Sequence, residues 1–261
     1  MTRPIVFLTD YGLSDEFVGT CHGVIARISP GTRIIDLTHA IPRHDVMSGA
    51  LTLGRATRYM PADAVYLAVV DPGVGSDRRS IALRAASGAL LVGPDNGVLS
   101  NAWDALGGTE TAVEVTAPDV VLHPVSKTFH GRDVFAPAAA HLSAGMPLQG
   151  LGPGVDRASL RALEIAVPMV ARGAVGARVV GVDGFGNVRL NARPEDLEAA
   201  GLGKILSVVG RRVPRVEIFA DVPEGVLASI VDSQGQVALV VNHGSASEML
   251  GLRVGAGIVL E

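Results

Sequence analysis

The chain has 261 residues, of which 48% are hydrophobic and 18% charged, enough to bury a large core and more than one typical domain needs. That length favours two modest domains, and a mean hydropathy of +0.37 leaves little solvated surface to spare, which points to a homo-oligomer whose subunits cover each other. A formal net charge of −4, with basic residues scattered singly or in pairs, argues against nucleic acid as a partner.

Residues 1–150 alternate short apolar β-rich runs with segments of helical period, which predicts an α/β domain, Rossmann-like, with a mainly parallel sheet and crossover helices. Strands are expected at 4–9, 33–37, 64–70, 79–84, 89–93 and 112–116. After the first, Phe17, Cys21, Val24, Ile25 and Ile28 share one helical face and Pro30-Gly31 stops it. A second helix is expected at 45–59. A third begins just past Gly131, where Val134, Ala138, His141 and Leu142 share a face and Gly145 lies at the end. The GLGPG text at 150–154 breaks the pattern, so 151–172 reads as a linker. From 173 to 261, β-type runs separated by turn residues predict a small C-terminal antiparallel β-barrel or sandwich.

Cys21 is the single cysteine, which excludes an intramolecular disulfide and a Cys-based zinc site. The apolar stretch in MTRPIVFLTD is too short for a signal peptide, and no run of about 18 apolar residues occurs, so the expectation is a cytoplasmic protein without a membrane partner.

Ligands of open α/β sheets sit at the carboxyl ends of strands, which directs attention to Asp10, Asp71 and Asp95-Asn96. Asp10 could accept both hydroxyls of a ribose; alternatively Asp10 or Asp15 caps the helix that follows. No GxGxxG loop follows this strand, so a nucleoside without phosphates suits better than a dinucleotide. Asp71 stands shortly before two arginines and could pair with Arg78 or Arg79 inside a site; the bland alternative is a surface ion pair worth little. His130 precedes a predicted helix whose positive end would keep the imidazole neutral, as a base requires, although most of the seven histidines are expected to be structural or solvated. In the C-terminal part, Asp183, Phe185 and Asn187 share a glycine-bordered loop that could hold an ammonium group, stack on adenine and bond its edge, or could be a plain hairpin turn. No HExxH, CxxC or closely spaced His/carboxylate set argues for a metal, and no GxSxG elbow occurs.

Taken together, LTDYG at 8–12, VDPGVG at 70–75, GPDNG at 93–97, TFHGRD at 128–133 and DGFGNV at 183–188 resemble one family, the S-adenosylmethionine (SAM) hydroxide adenosyltransferases, related to the SAM-dependent fluorinase and chlorinase. The resemblance spans nearly the whole chain in the same order. It implies hydrolysis of SAM to adenosine and methionine by a water-derived hydroxide at ribose C5′, with SAM as substrate and no cofactor. It further implies a homotrimer with sites between one subunit's N-terminal domain and a neighbour's C-terminal β-barrel. Asp71, Arg78 and His130 match the triad that marks the hydroxide-using members, which selects Arg78 over Arg79. By the same resemblance, Asp10 holds the ribose hydroxyls and Asp15 lies near the methionine end. Asp183, Phe185 and Asn187 contribute methionine and adenine contacts, Ser233 lies near the methionine carboxylate, and the Asn242-His243 backbone lies near adenine. Two positions keep other readings open: Gly131, as in the chlorinase, stands where the fluorinase has a halide-contacting serine, and Gln234 replaces an arginine that halogenases use for the methionine carboxylate. The alternatives are a halide-using SAM transferase and a non-catalytic adenosine or SAM binding module.

Overall fold

Five consecutive apolar or β-branched residues, Ile5–Thr9 (β1), are buried along their whole length, as befits a strand with helices on both faces. In the computed structural model, which describes residues 2–261, β1 lies within a seven-stranded sheet of a first unit that extends to Leu163. The other strands are Ile34–Thr38 (β2), Val65–Val69 (β3), Ser80–Ala85 (β4), Leu90–Pro94 (β5), Thr109–Glu114 (β6) and Gly154–Val155 (β7), in the order β2-β1-β3-β5-β4-β6-β7. Side chains alternate across the sheet, so Ile5 and Phe7 join one core and Val6 and Leu8 another. The first core is covered by Phe17–Ile28 (α1), whose Cys21, Val24 and Ile25 point inward as their spacing predicts.

Val46–Ala56 (α2), capped by Asp45 accepting from Ser48 N at 2.9 Å, and Ser100–Ala105 (α3) cover the other face through Leu53 and Trp103. The expectation of a mainly parallel sheet is corrected. β2, β1, β3 and β5 run parallel, but the β5–β4, β4–β6 and β6–β7 pairings are antiparallel. The chain between β4 and β5 is too short for a crossover helix and can only turn back as a hairpin.

The third helix has two parts, a wide turn at Gly131–Phe135 and Ala136–Ser143 (α4), with Val134, Ala138 and Leu142 buried against α1 and β1. Within the stretch read as linker, β7 pairs with β6, and Met169–Ala171 (β8) pairs with Ala174–Val182 (β9).

The second unit, Glu164–Glu261, is a mixed assembly of β9, Val188–Leu190 (β10), Pro194–Ala199 (α5), Ile205–Val208 (β11), Arg211–Pro214 (β12), Leu227–Val231 (β13), Val237–Val241 (β14), Ala246–Leu250 (α6) and Gly257–Leu260 (β15). Its strands pair in the order β12-β11-β15-β9-β10-β14-β13, all antiparallel. A bridge between Arg215 and Ser229 brings the two end strands together, giving a nearly closed, barrel-like sheet around Val179, Val188, Leu239 and Leu260. No described helix is long and apolar enough to cross a membrane.

Candidate active site

The carboxyl ends of β1 and β3 open into a cavity of about 630 Å³ in the first unit, a size suited to a small-molecule ligand. Asp10, Asp15, Asp71 and His130 line it together with Tyr11, Phe17 and Phe129. Neither Asp10 nor Asp15 caps α1: the N-cap is Glu16, with no side-chain hydrogen bond, so the capping alternative falls. Instead Oδ2 of Asp10 accepts from the backbone N–H of His44 at 2.8 Å.

Asp71 lies two residues past the end of β3, and its position is held from the next loop. Asn96 Nδ2 donates to Val70 O at 2.8 Å, so the GPDNG motif serves as a brace for the strand end. Arg78 pairs with Asp71 as the family resemblance requires: Nε donates to Oδ1 and Oδ2 at 2.9 and 3.1 Å, and Nη2 donates to Oδ2. Both side chains are buried, at 8% and 6% exposure, so this is not a surface pair. Arg79 instead pairs with the buried Asp95.

The remaining N–H groups of Arg78 are also committed. Nη1 donates to Ser80 Oγ at 2.8 Å and to Arg79 O at 3.4 Å, while Nη2 lies 2.7 Å from Nδ1 of His130. The guanidinium also lies over the buried ring of Phe135, 5.1 Å from its centroid. Guanidinium nitrogens only donate, so Nδ1 of His130 accepts and its proton resides on Nε2. The imidazole pKa is lowered, as expected, but the causes differ from the helix-end argument. Burial is first and the Arg78 charge second, opposed by Asp71 and Asp133. Asp133, the last residue of TFHGRD, is buried and ties the approach to this segment by accepting from Ser126 N at 2.8 Å and from Arg132.

In the second unit, Asp183, Phe185 and Asn187 form one turn. Asp183 Oδ1 accepts from Phe185 N at 2.9 Å and Asn187 N at 3.0 Å, and Oδ2 accepts from Asn187 Nδ2 at 3.0 Å. Phe185 is 81% exposed, an apolar ring presented from a hydrogen-bonded turn. The neighbouring segment is packed against this turn. Gly186 has φ +82°, a Cβ there would overlap Ser245, and Ser247 N donates to Gly186 O at 2.9 Å. Asn242 and His243 therefore lie beside Asp183–Asn187, with Asn242 Nδ2 fastened to Val222 O at 2.8 Å. Arg189 links the same turn to the Asp232–Gly235 turn that carries Ser233, standing 3.7 Å from Asp183 and 3.4 Å from Asp232.

A family model described as the SAM hydroxide adenosyltransferase N-terminal domain matches residues 5–152, and one described as the C-terminal domain of the same family matches residues 177–259. The chain belongs to the SAM hydroxide adenosyltransferase family. It is 52% identical to the (R)-S-adenosyl-L-methionine hydrolase of Salinispora tropica, over 96% of this chain and 95% of that protein. It is 30% identical to a fluorinase of Nocardia brasiliensis, over 98% and 96% of the two chains. Among solved structures, an uncharacterized conserved protein from Thermotoga maritima superposes with a TM-score of 0.90 at 35% identity, over 98% of this chain and 99% of that one.

Several features of this family member escaped the sequence reading. Tyr11, Phe17 and Phe129 form an aromatic wall with ring centroids 5.0 to 5.8 Å apart, whereas helical spacing alone puts Phe17 on a core face. His22, Asp36 and His39 were not grouped either, since no short spacing joins them. The fold brings both Nε2 atoms to one Asp36 oxygen at 2.9 and 3.0 Å, the one trio of possible metal ligands among the described residues. These groups satisfy one another by hydrogen bonding, and His39 Nδ1 is paired with Thr9 Oγ1 at 2.9 Å.

Proposed function

We propose that this protein hydrolyses S-adenosyl-L-methionine to adenosine and L-methionine, with water attacking ribose C5′. The observation that carries the reading is the buried Asp71–Arg78–His130 cluster at a nucleoside-sized cavity, in a chain of this family. The sulfonium makes the methionine sulfur a neutral leaving group. Catalysis therefore reduces to fixing a nucleophile in line with the C5′–S bond, and no cofactor is needed.

In the arrangement present, His130 cannot take a proton at Nδ1, because Arg78 donates to that atom. Its role is to orient water through Nε2–H, while Asp71 Oδ1, which accepts only the Arg78 Nε bond among the described residues, offers a lone pair to the same water and takes its proton as the O–C5′ bond forms and the C5′–S bond breaks. Arg78 fixes both groups. Asp10, anchored through Oδ2, keeps Oδ1 for a ribose hydroxyl, and Asp15 lies toward the methionine end. Asp183, Phe185, Asn187, Ser233 and the Asn242-His243 backbone serve the methionine and adenine ends from the second unit, which we read as a closed β-barrel supplied by a neighbouring subunit of a cytoplasmic homotrimer.

A halide is disfavoured as the nucleophile. Every N–H of Arg78 is already directed at a protein acceptor, and Asp71 would repel a desolvated anion at 4 Å by about 4 kcal/mol at an effective dielectric near 20, before partial offset by Arg78. The test is incubation of purified protein with SAM, with and without chloride or fluoride, and product identification by chromatography and mass. Adenosine plus methionine is expected. A 5′-halo-5′-deoxyadenosine product would make the protein a halide transferase, and intact SAM alongside calorimetric binding would make it a binding module. Analytical ultracentrifugation tests the trimer.

A further inference from the structure

Arg78 and Arg189 are both paired with carboxylates, and they differ in one respect. Arg78 spends every N–H inside the protein. The guanidinium of Arg189, on β10 of the second unit, makes no hydrogen bond among the described residues, although two carboxylates flank it.

The reason lies in the surrounding turns. Val188 and Leu190 point into the core, so Arg189 points to the other face of β10, where its cross-strand neighbour on β9 is Gly181 and leaves room for the side chain to lie along the sheet. Asp183 is held by its own turn, Oδ1 accepting from Phe185 N and Asn187 N and Oδ2 from the Asn187 amide, which leaves Oδ2 a further lone pair. Asp232 Oδ1 accepts from Gln234 N at 2.8 Å and Gln236 N at 3.0 Å, while Oδ2 is buried and accepts no hydrogen bond. Each carboxylate is thus fixed by its turn and holds the guanidinium by charge, at distances of 3.4 and 3.7 Å that leave the donor fork uncommitted. The side chain remains 26% exposed, within reach of a ligand.

An α-amino acid carries a carboxylate and an ammonium group on adjacent atoms. A planar guanidinium can receive the first bidentately, and the flanking carboxylates favour the second. The amide of Gln234, in the turn that holds Asp232, supplies no charge for a carboxylate. We infer that Arg189, set between Asp183 and Asp232, receives the α-carboxylate of the substrate's methionine end and makes the second unit the reader of its amino-acid group. This assignment rests on the SAM reading above and names the residue that meets that charge.

The test compares wild type with R189Q, R189K and the double variant R189Q/Q234R, using SAM and decarboxylated SAM as substrates and L-methionine and L-methioninol in calorimetry. For R189Q, KM for SAM is expected to rise about 10- to 100-fold with kcat little changed, as for loss of a charged hydrogen-bonding partner, while KM for decarboxylated SAM stays as in wild type. R189K should fall between, and Q234R should restore part of the loss by returning a cation to the same turn. L-Methionine should bind wild type more tightly than L-methioninol does, and R189Q should erase that difference. Equal weakening toward both substrates would mark Arg189 as structural and overturn the assignment, as would an R189Q variant that still distinguishes methionine from methioninol. Should wild type leave SAM intact, the hydrolase reading fails, and the calorimetric pair still decides the role of Arg189.

Discussion

Gly131 lies directly against the hydroxyl of Tyr11, so closely that a Cβ at position 131 would overlap Oη and approach Cζ to 3.0 Å. Tyr11 has little freedom to retreat, because its ring packs edge-on against Phe17 and Phe129, each at 5.8 Å. Burial, reinforced by Asp10 and Asp71 nearby, pushes the phenol pKa well above its ordinary value, so the group stays a neutral hydroxyl. Gly131 is thus a packing requirement of this aromatic wall, independent of which nucleophile the site takes.

Replacing Gly131 by serine should therefore damage the site without creating a halide enzyme. The expected cost is about 1–3 kcal/mol of stability from overpacking, together with slower SAM turnover, both measurable by thermal melts and product chromatography. Y11F in the G131A background should recover part of the stability, since the Oη overlap is removed and only the closer-than-usual contacts at Tyr11 Cζ and Phe129 Cε2, 3.0 and 3.3 Å, remain. A G131S protein as stable as wild type that forms a 5′-halo product would refute the steric account.

Arg78→Lys should fold yet lose about 10²-fold or more in kcat, because an ammonium cannot bridge Asp71 and His130 in one plane. Arg78→Ala should also destabilise the fold by about 3–5 kcal/mol, since Asp71 is left buried and unpaired. Urea unfolding and single-turnover kinetics separate the two effects. An R78K enzyme at the wild-type rate would remove Arg78 from the mechanism.

Much of this site could be read from the sequence, and the parts that could not have a common cause. Strand-end carboxylates such as Asp10 and Asp71 were visible because an α/β sheet presents its ligands there. The face of α1 was visible because helical period is local in sequence. Choosing Arg78 over Arg79 was not possible from spacing, since the decision belongs to Asp95, a buried partner sixteen residues from Arg79 on another strand end. The β4–β5 hairpin was missed because two short apolar runs look alike whether they pair parallel or antiparallel. Tyr11, Phe17 and Phe129 meet only in three dimensions, and Arg189 looked like an ordinary outward residue of a strand until Asp183 and Asp232 were placed on either side of it.

The division of labour between the two arginines can be measured. Asp95→Ala should cost about 3 kcal/mol or more in urea unfolding, because Asp95 is 3% exposed and serves Arg79 and the N–H of Arg161. Turnover by the folded fraction should stay close to wild type, since Asp95 does not line the cavity. A stable D95A protein with a large loss in kcat would place Arg79, rather than Arg78, in the chemistry.

The acid limit of activity should follow His130. Its pKa lies below the ordinary 6.5, burial being the larger cause and Arg78 the next, so the neutral ring persists as pH falls through 6.5. Protonation at Nδ1 would set imidazolium against guanidinium at 2.7 Å and break the contact that orients the ring. The pH–rate profile should therefore hold through pH 6.5 and fall only below it. Stability has the matching sign: the unfolded chain binds a proton at 6.5 that the folded one refuses, so this group's contribution is present above that pH and is lost progressively as pH drops toward the lowered value. Removing the Arg78 charge in R78Q should raise the imidazole pKa, observable by NMR titration of the ring even where turnover is too slow to follow. A His130 that titrates at 6.5 or above in wild type, or one unmoved by R78Q, would show that the Arg78–His130 contact does not set its protonation.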